Sequence, residues 1–103
     1  MSAPAIAPWP ADRADDAALV GEVVALWEAC GLTRPWNDPA ADIALAVHGP
    51  ASTVLLAHDG EALVGTVMVG HDGHRGAVYY LAVSPDRARC GIGRALMTAA
   101  EAW

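Results

Sequence analysis

The fold can be inferred from residues 78–97, VYYLAVSPDRARCGIGRALM, because their hydrophobic pattern changes from that of a strand to that of a helix. Its first part, 78–83, is a continuous apolar and aromatic run, which is typical of a buried strand. A Ser-Pro pair at 84–85 ends that run. After the loop, Ile92 and Leu96 recur at helical spacing. The stretch therefore predicts a strand, a polar loop and a helix in direct succession.

Two further strands precede this stretch. Apolar runs at 53–57 and 62–70 flank an Asp-Gly pair at 59–60, which is a strong signal for a β-hairpin. A second polar turn at 71–76 leads into the strand at 77–83. These strands are apolar on both faces, so we expect them to be central in the sheet and covered by helices.

Two helices and a short strand come before the hairpin. The first helix covers about residues 15–30, because its apolar residues recur with helical spacing. The second helix has Pro39 in its first turn, behind a capping Asn37 or Asp38. The proline-rich segment around 5–9 suits only an edge strand. The order β-α-α-β-β-β-α predicts an α/β (α+β) fold with a mixed, largely antiparallel sheet and helices on both faces.

Composition excludes several classes of function. A chain of 103 residues has room for one domain, and no apolar run approaches the roughly 18–20 residues of a membrane span. The first ten residues lack the basic start of a secretory signal, so we expect a cytoplasmic protein. The net charge of −6 argues against a nucleic-acid-binding protein. Cys30 and Cys90 lack metal-ligand spacing, so no metal site is predicted.

The loop at 87–94 carries the strongest chemical signal. The chain has no lysine, and three of its six arginines lie in this loop, namely Arg87, Arg89 and Arg94. Gly91 and Gly93 would let a phosphate approach the backbone at the start of a helix, where unpaired N–H groups and the helix dipole favour an anion. Glycine at a tight strand-to-helix turn also has a purely steric explanation. The residues alone leave both interpretations open, although they exclude a P-loop and a dinucleotide fingerprint.

The motifs around the loop resemble those of the GNAT superfamily of N-acetyltransferases. YYLAVSPD at 79–86, the basic Gly-x-Gly loop and ALM at 95–97 are similar to the central motif of that family. LWEACGLTRPWNDP at 26–39, GTVM at 65–68 and DGHRG at 72–76 resemble the bacterial YpeA-type members. The likeness runs from about residue 19 onward. It identifies residues 1–103 as the N-terminal and central part of one GNAT domain, with the C-terminal part of the fold missing.

The resemblance implies acetyl-CoA as the acetyl donor and a primary amine as the acceptor. Backbone groups of the fourth strand would contact the pantetheine arm and the acetyl carbonyl, and by position these belong to Leu81, Ala82 and Val83. The pyrophosphate site maps to Arg89, Cys90, Gly91, Ile92, Gly93 and Arg94. The loop between the first two helices would help to form the acceptor pocket through Arg34, Trp36, Asn37 and Asp38.

Two departures from the family pattern bear on activity. The family usually has Gln or Arg followed by Gly at the start of the loop motif, whereas this chain has Ala88 and Arg89. Arg87 or Arg89 would then supply the missing charge from a shifted position. The helix that usually bears the tyrosine thought to protonate the departing thiolate lies in the missing part, so that acid has no counterpart in residues 1–103.

Candidates for acid–base chemistry are Tyr79, Tyr80 and His74. The alternation of a regular strand would place the two tyrosines on opposite faces, so only one of them would face the cleft. His74 flanks an Asp-Gly turn, where polar residues are expected in any case. Trp36 has two interpretations, as a wall of the pocket or as a cover over the two helices.

Three functions remain open on the sequence. The first is acetyl transfer from acetyl-CoA to an amine, and the second is a non-catalytic CoA-binding or interaction module. The third is an unrelated α/β domain in which the Gly-x-Gly is only a turn. The strand at 78–83 would leave one edge open, and a second copy of the chain could cover it, so a homodimer is one expectation.

Overall fold

The computed structural model describes residues 4–73, 75–87 and 90–103. Within them the elements are β1 (Ala5–Pro8), α1 (Ala17–Ala29), α2 (Pro39–His48), β2 (Ser52–Asp59), β3 (Ala62–His71), β4 (Gly76–Val83) and α3 (Ile92–Ala102). Short 3-10 turns lie at Ala11–Arg13 and Pro85–Arg87. The predicted order and the mixed α/β class are confirmed.

The strands form one sheet in the order β1-β2-β3-β4, and every pairing is antiparallel. β2 and β3 are central and mostly buried, as predicted. β1 lies at one edge, where Pro8 pairs opposite Leu55 and its missing N–H is tolerated. Gly60 turns the β2–β3 hairpin with a φ of 63°, a conformation that glycine adopts without strain.

β4 differs from its prediction. In the described part of the chain it lies at the other edge of the sheet, so the expectation that it would be central is wrong there. Of its residues only Ala82 is fully buried, whereas Val78, Tyr79 and Leu81 are 41%, 59% and 42% exposed. An apolar run indicates that a strand is suited to being covered, but it does not specify the element that covers it. This uncovered strand is where the candidate site lies.

Helices cover both faces of the sheet, as predicted. α1 and α2 pack on one face around Trp27 and Ile43, and α3 packs on the other through Ile92 and Leu96. The approach of α3 depends on Gly65 of β3, because a Cβ there would lie 2.9 Å from Leu96 Cδ1. In the described ranges, no helix has the length and hydropathy needed to cross a bilayer.

Side-chain caps start the first two helices. The Asp16 carboxylate accepts hydrogen bonds from two N–H groups of the first turn of α1. Asp38 accepts from the N–H of Ala41 at 3.1 Å, and Pro39 occupies the first turn of α2. Asp38, not Asn37, is therefore the N-cap of α2. These caps fix both ends of the loop that joins α1 to α2.

Candidate functional site

The loop after β4 leads into the N-terminus of α3. Gly91 is the N-cap residue, with a left-handed φ of 78°, and no described side chain caps the helix there. The first α-helical hydrogen bond runs from the Ala95 N–H to the Gly91 carbonyl. A helix leaves its first N–H groups without intrahelical partners, and its dipole adds partial positive charge. The start of α3 thus has the geometry of an anion-binding helix terminus.

The first turn of α3 combines a buried anchor with an open approach. Ile92 is 3% exposed and packs into the core below α3. A Cβ built on Gly93 would have Val83 Cγ2 as its nearest neighbour at 3.6 Å, which is an ordinary contact. Arg94 and Cys90 are exposed beside this turn. Arg89, which the sequence assigns to the same site, lies outside the described residues.

Arg87 forms an ion pair with another residue of the chain. Its guanidinium donates to the carboxylate of Asp59 at the end of β2. That hydrogen bond raises the pKa of Arg87 above its ordinary value. The interaction joins the loop after β4 to the β2–β3 hairpin. Arg87 is therefore suited to positioning the loop, whereas the sequence had grouped it with Arg94 as a source of charge for an anion.

The end of β4 brings together the residues predicted to contact the acyl donor. Leu81 is exposed, Ala82 is 2% exposed and packs beneath α1 and α2, and Val83 is half-buried. The Val83 carbonyl accepts a hydrogen bond from the Cys30 thiol at 3.2 Å. This contact ties the C-terminal end of α1 to the end of β4. No described strand flanks the outer edge of β4, so that edge is accessible to a ligand.

A bulge in β4 changes where its tyrosines point. The pairing with β3 runs from Thr66↔Ala82 to Met68↔Tyr79, so two residues of β4 lie opposite one residue of β3. Tyr80, at the bulge, has a φ of 52°, which is uncommon for a residue with a side chain. Tyr79 and Tyr80 consequently line the same cavity. The prediction that they project to opposite faces is wrong, because it assumed an unbroken alternation.

One stacking contact and two hydrogen bonds position Tyr80. Its ring stacks on Trp27 with centroids 3.8 Å apart, and its hydroxyl donates to Asp42 Oδ2 at 2.7 Å. Its carbonyl accepts from the hydroxyl of Thr66 at 3.1 Å. The hydrogen bond to Asp42 and partial burial raise the pKa of Tyr80 to about 12. A phenol with that pKa remains protonated near neutral pH and is poorly suited to act as a general base there.

The Tyr80–Asp42 bond predicts a specific loss of stability in alkali. Because the folded-state pKa lies near 12 and an unperturbed tyrosine titrates at about 10, the stabilisation is complete below pH 10 and disappears as the pH rises through 12. We expect the free energy of unfolding to fall over this window more steeply in the wild type than in Tyr80→Phe. Urea titrations across this pH range measure the difference. Tyr79→Phe, which keeps the Tyr80–Asp42 bond, should behave like the wild type, and equal slopes for all three proteins would contradict the assignment.

A cavity of about 600 Å³ lies against Tyr79, Tyr80 and Leu81 of β4. α2, the α1–α2 loop and the ends of β2 and β3 complete its walls. The walls are mainly apolar, with Asn37 and Asp42 among the polar contributors. Its size and character are those of a small-molecule pocket. Since Leu81 belongs to both, the cavity adjoins the strand segment that the sequence assigns to the acetyl group.

The four predicted acceptor-binding residues occupy different environments. Asn37 lines the cavity, whereas Asp38 is engaged in capping α2. The Arg34 guanidinium folds back onto its own loop and donates to the carbonyls of Gly31 and Thr33. Trp36 is 79% exposed, so it does not cover the two helices in this structure.

Asp42 is the site residue that the sequence analysis missed. It lies in the first turn of α2, one residue before the fully buried Ile43, and its carboxylate reaches β4. The sequence held one signal for its role, namely a carboxylate next to the buried face of a helix. Such a carboxylate needs a hydrogen-bond or charge partner. The partner, Tyr80, is 38 residues away, so the sequence pattern did not reveal the pair.

His74, the remaining candidate for acid–base chemistry, lies outside the described residues. Its neighbour His71 ends β3 and contacts the ring of Trp103, with centroids 5.5 Å apart. Across residues 4–73, 75–87 and 90–103, no three His, Cys, Asp or Glu side chains group in a way that could hold a metal ion.

Several solved proteins share this architecture. An aminoglycoside acetyltransferase from an uncultured soil metagenomic sample, in complex with sisomicin, has a TM-score of 0.76 at 20% identity, over 96% of this chain and 68% of that one. A ribosomal-protein-alanine N-acetyltransferase from Brucella melitensis biovar Abortus 2308 gives 0.66 at 22%, over 94% and 69%. At these identities the likeness shows the fold. A tandem GNAT protein from the clavulanic acid biosynthesis pathway gives 0.70 at 28%, over 96% of this chain and 32% of that one.

The sequence profile of the acetyltransferase (GNAT) family matches residues 20–103, which is most of the chain. The matched residues include β4, the loop after it and α3, so the profile match and the shared architecture point to the same family. The protein therefore belongs to the GNAT family of acetyltransferases.

Proposed function

We propose that the protein transfers the acetyl group of acetyl-CoA to a primary amine. The observation that carries the proposal is the arrangement around Leu81. On one side lies the open edge of β4, and the loop after this strand leads to the start of α3, which has no described side-chain cap. On the other side lies the apolar cavity. A donor and an acceptor bound in these two places would meet at Leu81.

The donor would lie along β4 and over the start of α3. In this arrangement, backbone groups of Leu81, Ala82 and Val83 contact the pantetheine arm and the acetyl carbonyl. The pyrophosphate lies over residues 89–94, where helix N–H groups and the guanidiniums of Arg89 and Arg94 provide positive charge. Hydrogen bonds from strand N–H groups to the acetyl oxygen would stabilise the negative charge that develops there during transfer.

The acceptor would enter through the cavity beside Asn37. The nitrogen of the neutral amine bonds to the acetyl carbon as the carbon–sulfur bond breaks. The proton that leaves the nitrogen ends on the thiolate of CoA, so the products are an N-acetyl amine and CoA thiol. An ammonium ion must first lose a proton to solvent. Tyr79 and His74 remain candidates for the proton transfers.

A non-catalytic CoA-binding or interaction module is the second candidate function. The observation that favours it is the departure from the family loop at Ala88 and Arg89. Such a module would bind CoA without turning over the acetyl donor.

Two measurements on one preparation separate these functions. Calorimetric titration with acetyl-CoA tests the donor site, and release of CoA thiol in the presence of an amine panel tests transfer. The panel includes aminoglycosides and alanine-containing peptides as well as simple amines, because proteins of this fold are named for aminoglycosides and for ribosomal-protein alanine. Saturable binding with amine-dependent thiol release is the expected result. Binding without release for any amine would favour the second function, and absence of binding would overturn both.

Further proposals follow from composition and resemblance. The net charge of −6 supports a protein that does not bind nucleic acid, and its cytoplasmic location is proposed on the composition. The motifs at 26–39 and 72–76 support a relation to YpeA-type acetyltransferases. The open edge of β4 supports a homodimer, which light scattering tests directly.

A further inference from the structure

We propose that the cavity beside Leu81 selects small primary amines that carry a single positive charge on a mostly apolar body. This inference rests on the acetyl-transfer function proposed above and names its class of acceptor. Three features of the cavity support it: the charge of its lining, the way that charge is held, and the apolar side chains around it.

The lining carries one kind of charge. Among the described residues that line the cavity, Asp42 is the only one with a charged side chain, and none is basic. Ser52 also lines it, but its hydroxyl donates to the Ala46 carbonyl at 2.9 Å. A carboxylate attracts an ammonium group and repels an acceptor that carries a carboxylate or phosphate close to its amine. The lining therefore favours cationic acceptors.

The carboxylate is held in place before any ligand binds. Asp42 Oδ2 accepts from the Tyr80 hydroxyl at 2.7 Å, and the ring of Tyr80 is stacked on the fully buried Trp27. A carboxylate has two oxygens with about four acceptor positions, so the bond to Tyr80 leaves capacity for an ammonium group. Because Asp42 is already oriented, an incoming amine does not have to order it, and affinity benefits.

Apolar side chains make up much of the rest of the cavity lining. Leu45, Tyr79 and Leu81 are 78%, 59% and 42% exposed, and all three line the cavity together with Met68. Large apolar side chains left exposed around a concave surface mark a binding site for apolar groups. An acceptor that covers them needs a hydrocarbon or aromatic body next to its amine.

The same lining disfavours polycationic acceptors. Each further ammonium group taken into the cavity needs its own acceptor, because an unpaired charge away from water is costly. One carboxylate can satisfy one ammonium group well. An aminoglycoside, with several ammonium groups on a hydroxylated body, matches neither the charge nor the apolar walls.

A matched set of amines tests the selection. We would compare 2-phenylethylamine, which is cationic at neutral pH, with an aminoglycoside and with β-alanine, which carries a carboxylate near its amine. The expected kcat/KM for 2-phenylethylamine exceeds that for either of the others by about tenfold or more. An aminoglycoside or β-alanine that matches or exceeds 2-phenylethylamine would overturn the inference.

Asp42→Asn isolates the charge, because an amide oxygen can still accept the hydrogen bond from Tyr80. We expect this variant to raise KM for 2-phenylethylamine about tenfold or more, which is the size expected when an interaction with a charged group is lost. The β,β-difluoro analogue of 2-phenylethylamine is largely neutral at pH 8, so it has little charge with which to attract the Asp42 carboxylate. Its KM should therefore change by less than about threefold in Asp42→Asn. Glu22→Gln, an exposed acid on α1, is the matched control and should change neither value. Equal effects of Asp42→Asn on the two amines would show that its charge is not what selects the acceptor.

Failure of the proposed function can be distinguished from failure of this inference. Titration with acetyl-CoA alone tests the donor site and does not involve the amine. Calorimetric titration with 2-phenylethylamine in the absence of acetyl-CoA tests the cavity without turnover. If acetyl-CoA does not bind, the proposed function fails. In that case, amine binding that is weakened by Asp42→Asn still supports the cavity's selectivity, and absence of amine binding overturns it.

Discussion

Trp27→Ala is expected to lower the free energy of unfolding by about 3–5 kcal/mol, the range observed when a buried aromatic side chain is truncated. Trp27 is fully buried, its ring stacks on Tyr80, and its Nε1–H donates to the hydroxyl of Thr66 at 2.8 Å. The substitution removes the stacking partner of Tyr80 and the donor to Thr66 and leaves a cavity between α1 and the sheet. Since native domains are stable by only about 5–15 kcal/mol, this loss is a large fraction of the total free energy of unfolding.

Chemical denaturation monitored by far-UV circular dichroism measures this loss. Trp36→Ala is the control, because Trp36 is 79% exposed and its removal should change the free energy of unfolding by no more than about 0.5 kcal/mol. Thr66→Val tests the polar contact separately, since it leaves the indole N–H buried without an acceptor and should cost about 1–3 kcal/mol. If Trp27→Ala and Trp36→Ala lower stability equally, the stacked pair is not central to the fold.

Local chemistry explains why the order of elements could be predicted. Asp38 with Pro39, and Gly60 at the hairpin, act within a few residues of their own positions, so their effects can be read from short sequence windows. The start of α3 is predictable for the same reason, because Gly91 lies at the end of the polar loop after β4 and directly precedes a helical pattern. The fold class followed from placing these local signals in order.

Contacts between distant residues explain what the sequence did not reveal. The hydrogen bond from Tyr80 to Asp42 joins residues 38 positions apart, and Arg87 pairs with a carboxylate 28 positions away. No short window contains both partners of either pair. The closeness of Arg87 and Arg94 in the sequence predicts a shared role in binding an anion, but the partner of Arg87 is Asp59 of the hairpin.

The β4 bulge also made part of the candidate site unpredictable from the sequence. Strand periodicity predicts alternating faces, but one extra residue opposite Val67 changes the side of every residue beyond it. Tyr79 and Tyr80 therefore share a cavity that the regular pattern would have divided. Glycine at a bulge is a common sequence signal, but here the left-handed backbone belongs to Tyr80, so that signal was absent.

Gly93→Ala is expected to weaken acetyl-CoA binding by about tenfold or more, and Gly93→Val to abolish measurable binding, because a side chain would occupy the space through which phosphate reaches the helix N–H groups. The protein itself accommodates the alanine methyl, since its nearest neighbour would be Val83 Cγ2 at 3.6 Å. Gly93 is not among the glycines with a positive φ, so alanine fits its backbone and the fold should be about as stable. The expected loss of affinity is therefore separate from any loss of structure.

Calorimetric titration with acetyl-CoA, alongside thermal unfolding, measures both quantities. Gly21→Ala is the matched control, because Gly21 lies inside α1 with no atom within 4 Å of an added Cβ, and it should leave affinity unchanged. Arg94→Ala tests the contribution of side-chain charge, and Arg75→Ala, at the residue before the opposite end of β4, is its control for charge alone. Weakening by Arg94→Ala but not by Gly93→Ala would mean that a guanidinium, and not the helix backbone, binds the pyrophosphate. If neither variant weakens binding while both remain folded, the donor does not lie over the start of α3, and the assignment of residues 89–94 is wrong.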